Sequence, residues 1–532
     1  MPRSAIITSM QSIQAELNPA VNRLLDALGE PDETSLAGGP VYHVDGVGGN
    51  FYFAYEQLRN AAEYRERHLL LRGAIERYLT RRVDLANYRA AAAELITELT
   101  QAGYVPNHSV PLKVLAAMDD MGAKFGNYYD AVRRTGLAPT KVLHRWVMQL
   151  LSAELETMLV PATRRLEPFI AFAYGHYVQA IDFSSIEGGD NAERNQTALY
   201  CAIHRTLFKS DLATTRYYAL VGRLDNLHGF APAEFVAANE LIDVQYQAPL
   251  SNRIGRVVAR YGAPMRIMRE LLVTGSMSRQ AYASREAVIG KVRSICQQQY
   301  QLVQKTATDR LLKTIVFIFL TKVLIGIAVE VPFDVLIHGS IIWLPLVLNV
   351  VFPPLYMTVI GMQAKAPGRQ NTEVIASYID RIMYVSDQPA LSYKLGRRVT
   401  SSTLNTIFLS VYGLGFSLSF GLLIYLLNLV GFNIVNGAIF FIFFSAVSFL
   451  GFRLRQVTGE LRMLPEKQNL VRVLADFLSA PFVRVGHWLS DRYAKANIVT
   501  RLLDAAIELP LKTSLRLVQQ WVGFMRDRQE EL

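Results

Sequence analysis

Residues 315–334 read IVFIFLTKVLIGIAVEVPFD, an apolar run with a lysine, Lys322, near its centre. A helix that crosses a bilayer needs about 20 mainly apolar residues, so the run predicts a membrane span whose internal charge requires a partner. Three similar segments follow, giving expected spans at 314–335, 341–362, 406–430 and 433–452. The turns inside each pair carry no Lys or Arg. By contrast, Lys365, Arg369, Arg381, Lys394, Arg397 and Arg398 lie between spans two and three, and Arg453, Arg455, Arg462 and Lys467 follow span four. The positive-inside rule then predicts a multi-pass protein of the cytoplasmic membrane, with both termini and the basic loop 363–405 in the cytosol.

Composition agrees with a membrane chain. Of 532 residues, 51% are hydrophobic and 19% charged, more apolar than a soluble protein of this length requires. The net charge of +10 is spread along amphipathic stretches and beside apolar segments, which points to anionic lipid head groups and away from nucleic acid. Cys201 and Cys296 form no CxxC pair, so neither a disulfide framework nor a zinc knuckle is expected. The opening MPRSAIITSMQSIQAELNPA lacks the apolar core of a cleaved signal and is expected to stay in the cytosol.

Span two contains Pro353 and Pro354, which cannot donate backbone bonds and should break or kink the helix near NVVFPP, releasing the carbonyls of Asn349 and Val350. Lys322 lies eight residues, about 12 Å, beyond the start of its span. A lysine at that depth costs about 2.5 to 3.5 kcal/mol without a partner. Depth matching places it level with Asn349, so Lys322 is expected to clamp the proline-broken turn of span two. Glu330 and Asp334 are expected too far along the same helix to pair with it. In span three, Gly413, Ser417 and Gly421 recur every four residues and should pack against Ser445 and Ser448 of span four.

Residues 1–310 read as a cytosolic α-helical domain, because apolar residues recur at helical spacing and turn signals such as GYVPNHSVP, GLAPT and EGGDN separate the runs. The stretch 51–82 is typical: Tyr55, Leu58, Ala62, Leu69, Ile75 and Leu79 line one face, with Glu and Arg outside it. From about 276 the pattern continues without a breaker into span one. No catalytic, cofactor or metal motif emerges. DGVGGNF lacks the lysine and hydroxyl of a phosphate loop, the nine histidines show no HExxH spacing, and the adjacent Asp119 and Asp120 diverge on a helix. Residues 454–532 predict an amphipathic helical tail divided by Pro481 and Pro510, which should lie on the bilayer or on the cytosolic domain.

The runs AYEQLRNAAEYRERHLLLRGAIERYLTR, LTKVLIGIAVEVPFD and LPLVLNVVFPPLYM together resemble an uncharacterised family of bacterial polytopic membrane proteins. The resemblance implies a bacterial cytoplasmic-membrane setting and brings no activity. The fold class expected is therefore all-α: a helical cytosolic bundle, four transmembrane helices in 311–453 and a helical tail. The leading functional expectation is a non-enzymatic membrane-anchored scaffold that recruits a protein partner through 1–310. The alternative is an oligomeric transporter or channel built on Lys322 and the broken second span, which would make the chain a homo-oligomer.

Overall fold

The computed structural model describes residues 16–29, 39–44, 53, 56, 67–85, 90–160, 163, 165–183, 192–224, 229–275, 277–385, 389, 391–395, 402–465 and 470–496. The chain is all-α. Its helices run α1 (Pro19–Gly29), α2 (Leu70–Arg82), α3 (Ala92–Gln101), α4 (Leu112–Thr135), α5 (Thr140–Leu159), α6 (Leu166–Ala180), α7 (Ala192–Ile203), α8 (Leu212–Leu224) and α9 (Pro232–Tyr246). They continue with α10 (Pro249–Tyr261), α11 (Ala263–Val273), α12 (Arg285–Ile325), α13 (Val331–His338), α14 (Trp343–Gln363), α15 (Arg369–Met383), α16 (Ser402–Leu429), α17 (Ile434–Gly459) and α18 (Leu470–Ala496). Two-residue strands at Ile181–Asp182 and Tyr393–Lys394 pair in parallel. The described residues form two compact units, one of 16–18, 260–385 and 402–496, the other of 19–259 with 389–395. The stretch 260–310, grouped by sequence with the cytosolic domain, thus belongs to the unit that carries the apolar helices.

In the unit of 19–259, α5 is the axis, packed against α2, α4 and α8. Its polar residues Lys141 and Arg145 sit at the exposed start, while from Trp146 to Leu155 nearly every position is buried, as in a helix enclosed by its neighbours. Leu143, Trp146, Val147, Leu150 and Leu151 are fully buried, and Ile75 and Leu79 of α2 join the same core. Tyr55, Leu58 and Ala62 lie outside the described residues. Asp119 of α4 caps α3: its Oδ1 accepts from the amides of Ala91 at 2.8 Å and Ala92 at 3.0 Å.

Among the described residues, four helices, all in the other unit, are long and apolar enough to cross a membrane: Arg285–Ile337, Trp343–Gln363, Leu409–Leu429 and Ile434–Gly459. The first is one continuous helix that includes a π-helical turn at Gly326–Glu330. Helices α12, α14 and α17 pack pairwise into a three-helix group. The basic loop is itself folded: α15 packs on α11 and on α12 through Ile375 and Ile379, and Arg293 holds Glu373 at 2.7 Å. Asn371 completes this layer by donating to the Leu461 carbonyl and the Tyr300 hydroxyl, both at 2.8 Å.

Three features differ from the sequence expectation. First, α14 runs through Pro353 and Pro354 without interruption. Each proline removes one backbone bond, and in a packed apolar helix that loss is tolerated. Second, Gly413, Ser417 and Gly421 are exposed, and a Cβ added at either glycine would meet open space. Among the positions of α16 whose burial is described, the buried ones are Gly415 and Ser419, two residues off the stripe and so on nearly the opposite side. Third, α18 continues through Pro481 and lies against both α16 and α17. Phe477 fills the space over Gly415, Phe482 sits among Phe420, Phe441 and Phe444, and Gly486 abuts the Ser445 backbone. These contacts outweigh the single backbone bond lost at Pro481. The tail beyond 496, with Pro510, lies outside the described residues.

Candidate functional site

The apolar helices enclose a connected polar cluster. Lys322 of α12 is fully buried, as are Glu330, Asp334, Asn349 and Asn436. The Lys322 ammonium donates to Asn349 Oδ1 at 2.9 Å, pairs with Glu330 Oε1 at 3.4 Å and stands 4.6 Å from the centre of the Phe443 ring. Asn349 in turn donates through Nδ2 to Glu330 Oε2 at 2.8 Å and to the Asn436 carbonyl at 3.1 Å. One lysine therefore links α12, α14 and α17 through hydrogen bonds that close on each other. In a medium without water, an ionised group is tolerated only with such a set of partners.

The cluster continues toward the turn of the first hairpin. Asp334 Oδ1 accepts from Asn433 Nδ2 at 2.8 Å and Asn436 Nδ2 at 3.3 Å, and its Oδ2 accepts from the Ile342 amide at 3.3 Å. Asn433 also caps α17, its Oδ1 taking the Asn436 amide at 2.8 Å. Asn436 Oδ1 is buried and has no hydrogen-bond partner.

The structure brings together two of the sequence-predicted residues, Lys322 and Asn349. It does not place Lys322 on backbone carbonyls freed by Pro353 and Pro354; the amide side chain is the acceptor. Glu330, expected to be out of reach, is a partner. Eight residues of regular α-helix rise about 12 Å. The wide turn at Gly326–Glu330 shortens and rotates that interval, and two long side chains bridge the rest. Asp334, also expected out of reach of Lys322, bonds instead to Asn433 and Asn436, two residues to which the sequence gives no role. Two carboxylates and two asparagines in or beside apolar runs were the available signal.

The unit of 19–259 has its own buried charges. Arg72 pairs with Asp211, with Glu76 at 2.6 Å, and donates to Ser152 at 3.2 Å. Arg216 pairs with Asp243, donates to Gln149 Oε1 at 3.1 Å and Asn239 Oδ1 at 2.5 Å, and faces the Trp146 ring at 5.7 Å. Burial raises the Glu156 carboxyl to about 7, with Arg72 opposing the rise. Burial lowers His176 to about 4 and His204 to about 3. A shallow cleft of about 230 Å³ near Val105, Val110, Val114 and Met158 has no charged side chain in its lining. Among the described residues, no three His, Cys, Asp or Glu side chains converge on a point that could hold a metal ion.

The Glu156 shift predicts a pH effect. The folded carboxyl binds its proton more tightly than the unfolded one, so ionisation costs stability as pH rises from the ordinary carboxylate range, about 4.3, to about 7. His176 and His204 act in the opposite sense, losing stability as pH falls below about 6.5. The Glu156→Gln variant isolates the carboxyl: it should match the parent in denaturant melts near pH 4 and exceed it in stability above pH 7. A difference curve flat across that range would contradict the assignment.

No known protein family, curated protein or solved structure matches the chain. Fold and site together define its class as an all-α protein with four helices able to cross a membrane and a charged cluster buried among them.

Proposed function

We propose that the chain is a non-enzymatic scaffold anchored in the cytoplasmic membrane, with both termini cytosolic and its helical unit of 19–259 recruiting a protein partner. The observation that carries this reading is the closure of the Lys322 cluster. Both hydrogen-bonding partners of the ammonium, Asn349 and Glu330, are on spanning helices and fully buried, which suits a joint that holds an anchor rigid. The basic residues at 365–398 and 453–467 support the orientation and contact with anionic lipid. Exposed Leu470, Leu474 and Trp488 on α18 suit the bilayer interface.

A second reading, a transporter or channel assembled from several copies, draws on Asp334, a second buried carboxylate whose hydrogen bonds come from neutral donors. The π-helical turn beside Glu330 is also of a kind common at functional sites. Proteoliposomes of the full chain separate the two. The scaffold predicts ion and proton flux equal to that of empty vesicles, and a partner that co-purifies at fixed stoichiometry unless 19–259 is deleted. Flux that disappears in Lys322→Met or Asp334→Asn would replace it with transport.

A further inference from the structure

The segment at residues 40–44 and the turn at 105–111 are pinned together by backbone and side-chain bonds. The Tyr42 amide donates to the Val110 carbonyl at 2.8 Å, and the Leu112 amide to the Pro40 carbonyl at 2.9 Å. Asn107 holds both sides: its Oδ1 accepts from the Val44 amide at 3.1 Å and the His108 amide at 3.0 Å, while Nδ2 donates to the Val44 carbonyl at 2.8 Å. Out of this frame project two exposed imidazoles, His43 and His108. Their rings stack with centroids 4.4 Å apart, and His43 Nδ1 stands 3.0 Å from His108 Nε2.

His108 adopts a left-handed backbone conformation, φ 60°, uncommon for residues other than glycine although histidine enters it more readily than most. The Asn107 bonds hold it there, and the result is a ring aimed at His43.

We propose that His43 and His108 form a binding site for one divalent late first-row metal ion of the Zn²⁺, Ni²⁺ and Cu²⁺ class. Imidazole nitrogens bind these ions at about 2.0 to 2.1 Å, so two adjacent ligands at angles of 90° to 109° stand about 2.9 to 3.4 Å apart. The nitrogen separation of 3.0 Å falls in that interval without movement of the backbone. The rings stack at an interplanar angle of 21°, so metal binding requires the two exposed side chains to turn out of the stack until both in-plane lone pairs meet at one point, and their exposure leaves space for that turn and for water ligands. The ion replaces the ring-to-ring hydrogen bond and cross-links the two segments across 65 residues of sequence.

The test uses the full chain in detergent, purified without a polyhistidine tag, stripped of metal and titrated with Ni²⁺ and Zn²⁺ by calorimetry. One ion per chain should bind. Either His43→Ala or His108→Ala should weaken binding by at least about tenfold, since loss of even an outer-shell partner costs that much. Alanine at the exposed His68 should leave binding unchanged. Cu²⁺ electron paramagnetic resonance should report two imidazole nitrogens in the parent and one in each single variant. Both histidines are on the surface, so the metal-free variants should melt with the parent. Absence of binding, or one-to-one binding unchanged in both variants, would overturn the site.

Discussion

Replacing Lys322 by methionine should destabilise the unit that holds the apolar helices by about 3 to 5 kcal/mol, the cost of breaking a buried ion pair from one side. Methionine keeps the volume of the side chain, so the loss is electrostatic. It leaves the Glu330 carboxylate fully buried, with Asn349 Nδ2 at 2.8 Å as its remaining donor in the cluster. It also leaves Asn349 Oδ1 without the ammonium. Because Asn349 bonds the Asn436 carbonyl at the start of α17, the damage spreads from the first hairpin to the fourth span. Thermal melting and size-exclusion profiles of the full chain in mild detergent read the effect directly. A melting profile identical to the parent would show that the ammonium contributes nothing to the fold.

Arg216→Met should give the second large effect, about 3 kcal/mol, in the unit of 19–259. The guanidinium is fully buried and, from its place on α8, reaches acceptors on two other helices: Gln149 of α5, and Asn239 and Asp243 of α9. Asp243 is partly exposed and keeps Trp146 Nε1 at 2.9 Å and Arg145 at 3.1 Å, which holds the loss to the lower end of the range for buried pairs. Arg216→Lys should recover less than half of it. A single ammonium cannot present the planar fork of donors that these acceptors require. Denaturant melts of the full chain measure both variants, and full recovery with lysine would refute the role of the fork.

Much of this architecture follows from the sequence because lipid imposes simple rules. The apolar runs at 314–335 and 433–452 had to be helices, and Lys322 had to find a partner at its own depth, which led to Asn349. Glu330 lies out of reach of Lys322 at the α-helical rise, and no residue type marks the wide turn at Gly326–Glu330 that brings it close. Gly413, Ser417 and Gly421 looked like a contact stripe, yet in a helix that is apolar all round composition does not say which side is covered. That choice is made, through Phe477 on Gly415, by α18, a helix whose interleaved basic residues suggest a place on the bilayer surface or the cytosolic domain. The pairing of His43 with His108 escapes any spacing rule, being produced by Asn107 across two distant segments.

Whether Lys322 and Glu330 act together as a structural pair is read from a double-mutant cycle. Lys322→Met, Glu330→Gln and the double variant are melted beside the parent in the same detergent. A structural pair predicts that each single change is strongly destabilising, that the double variant is more stable than Lys322→Met alone, and that the coupling reaches about 2 to 3 kcal/mol. Single effects that simply add, with no coupling, would contradict the pair and return Lys322 to the position of a charge still in need of an explanation.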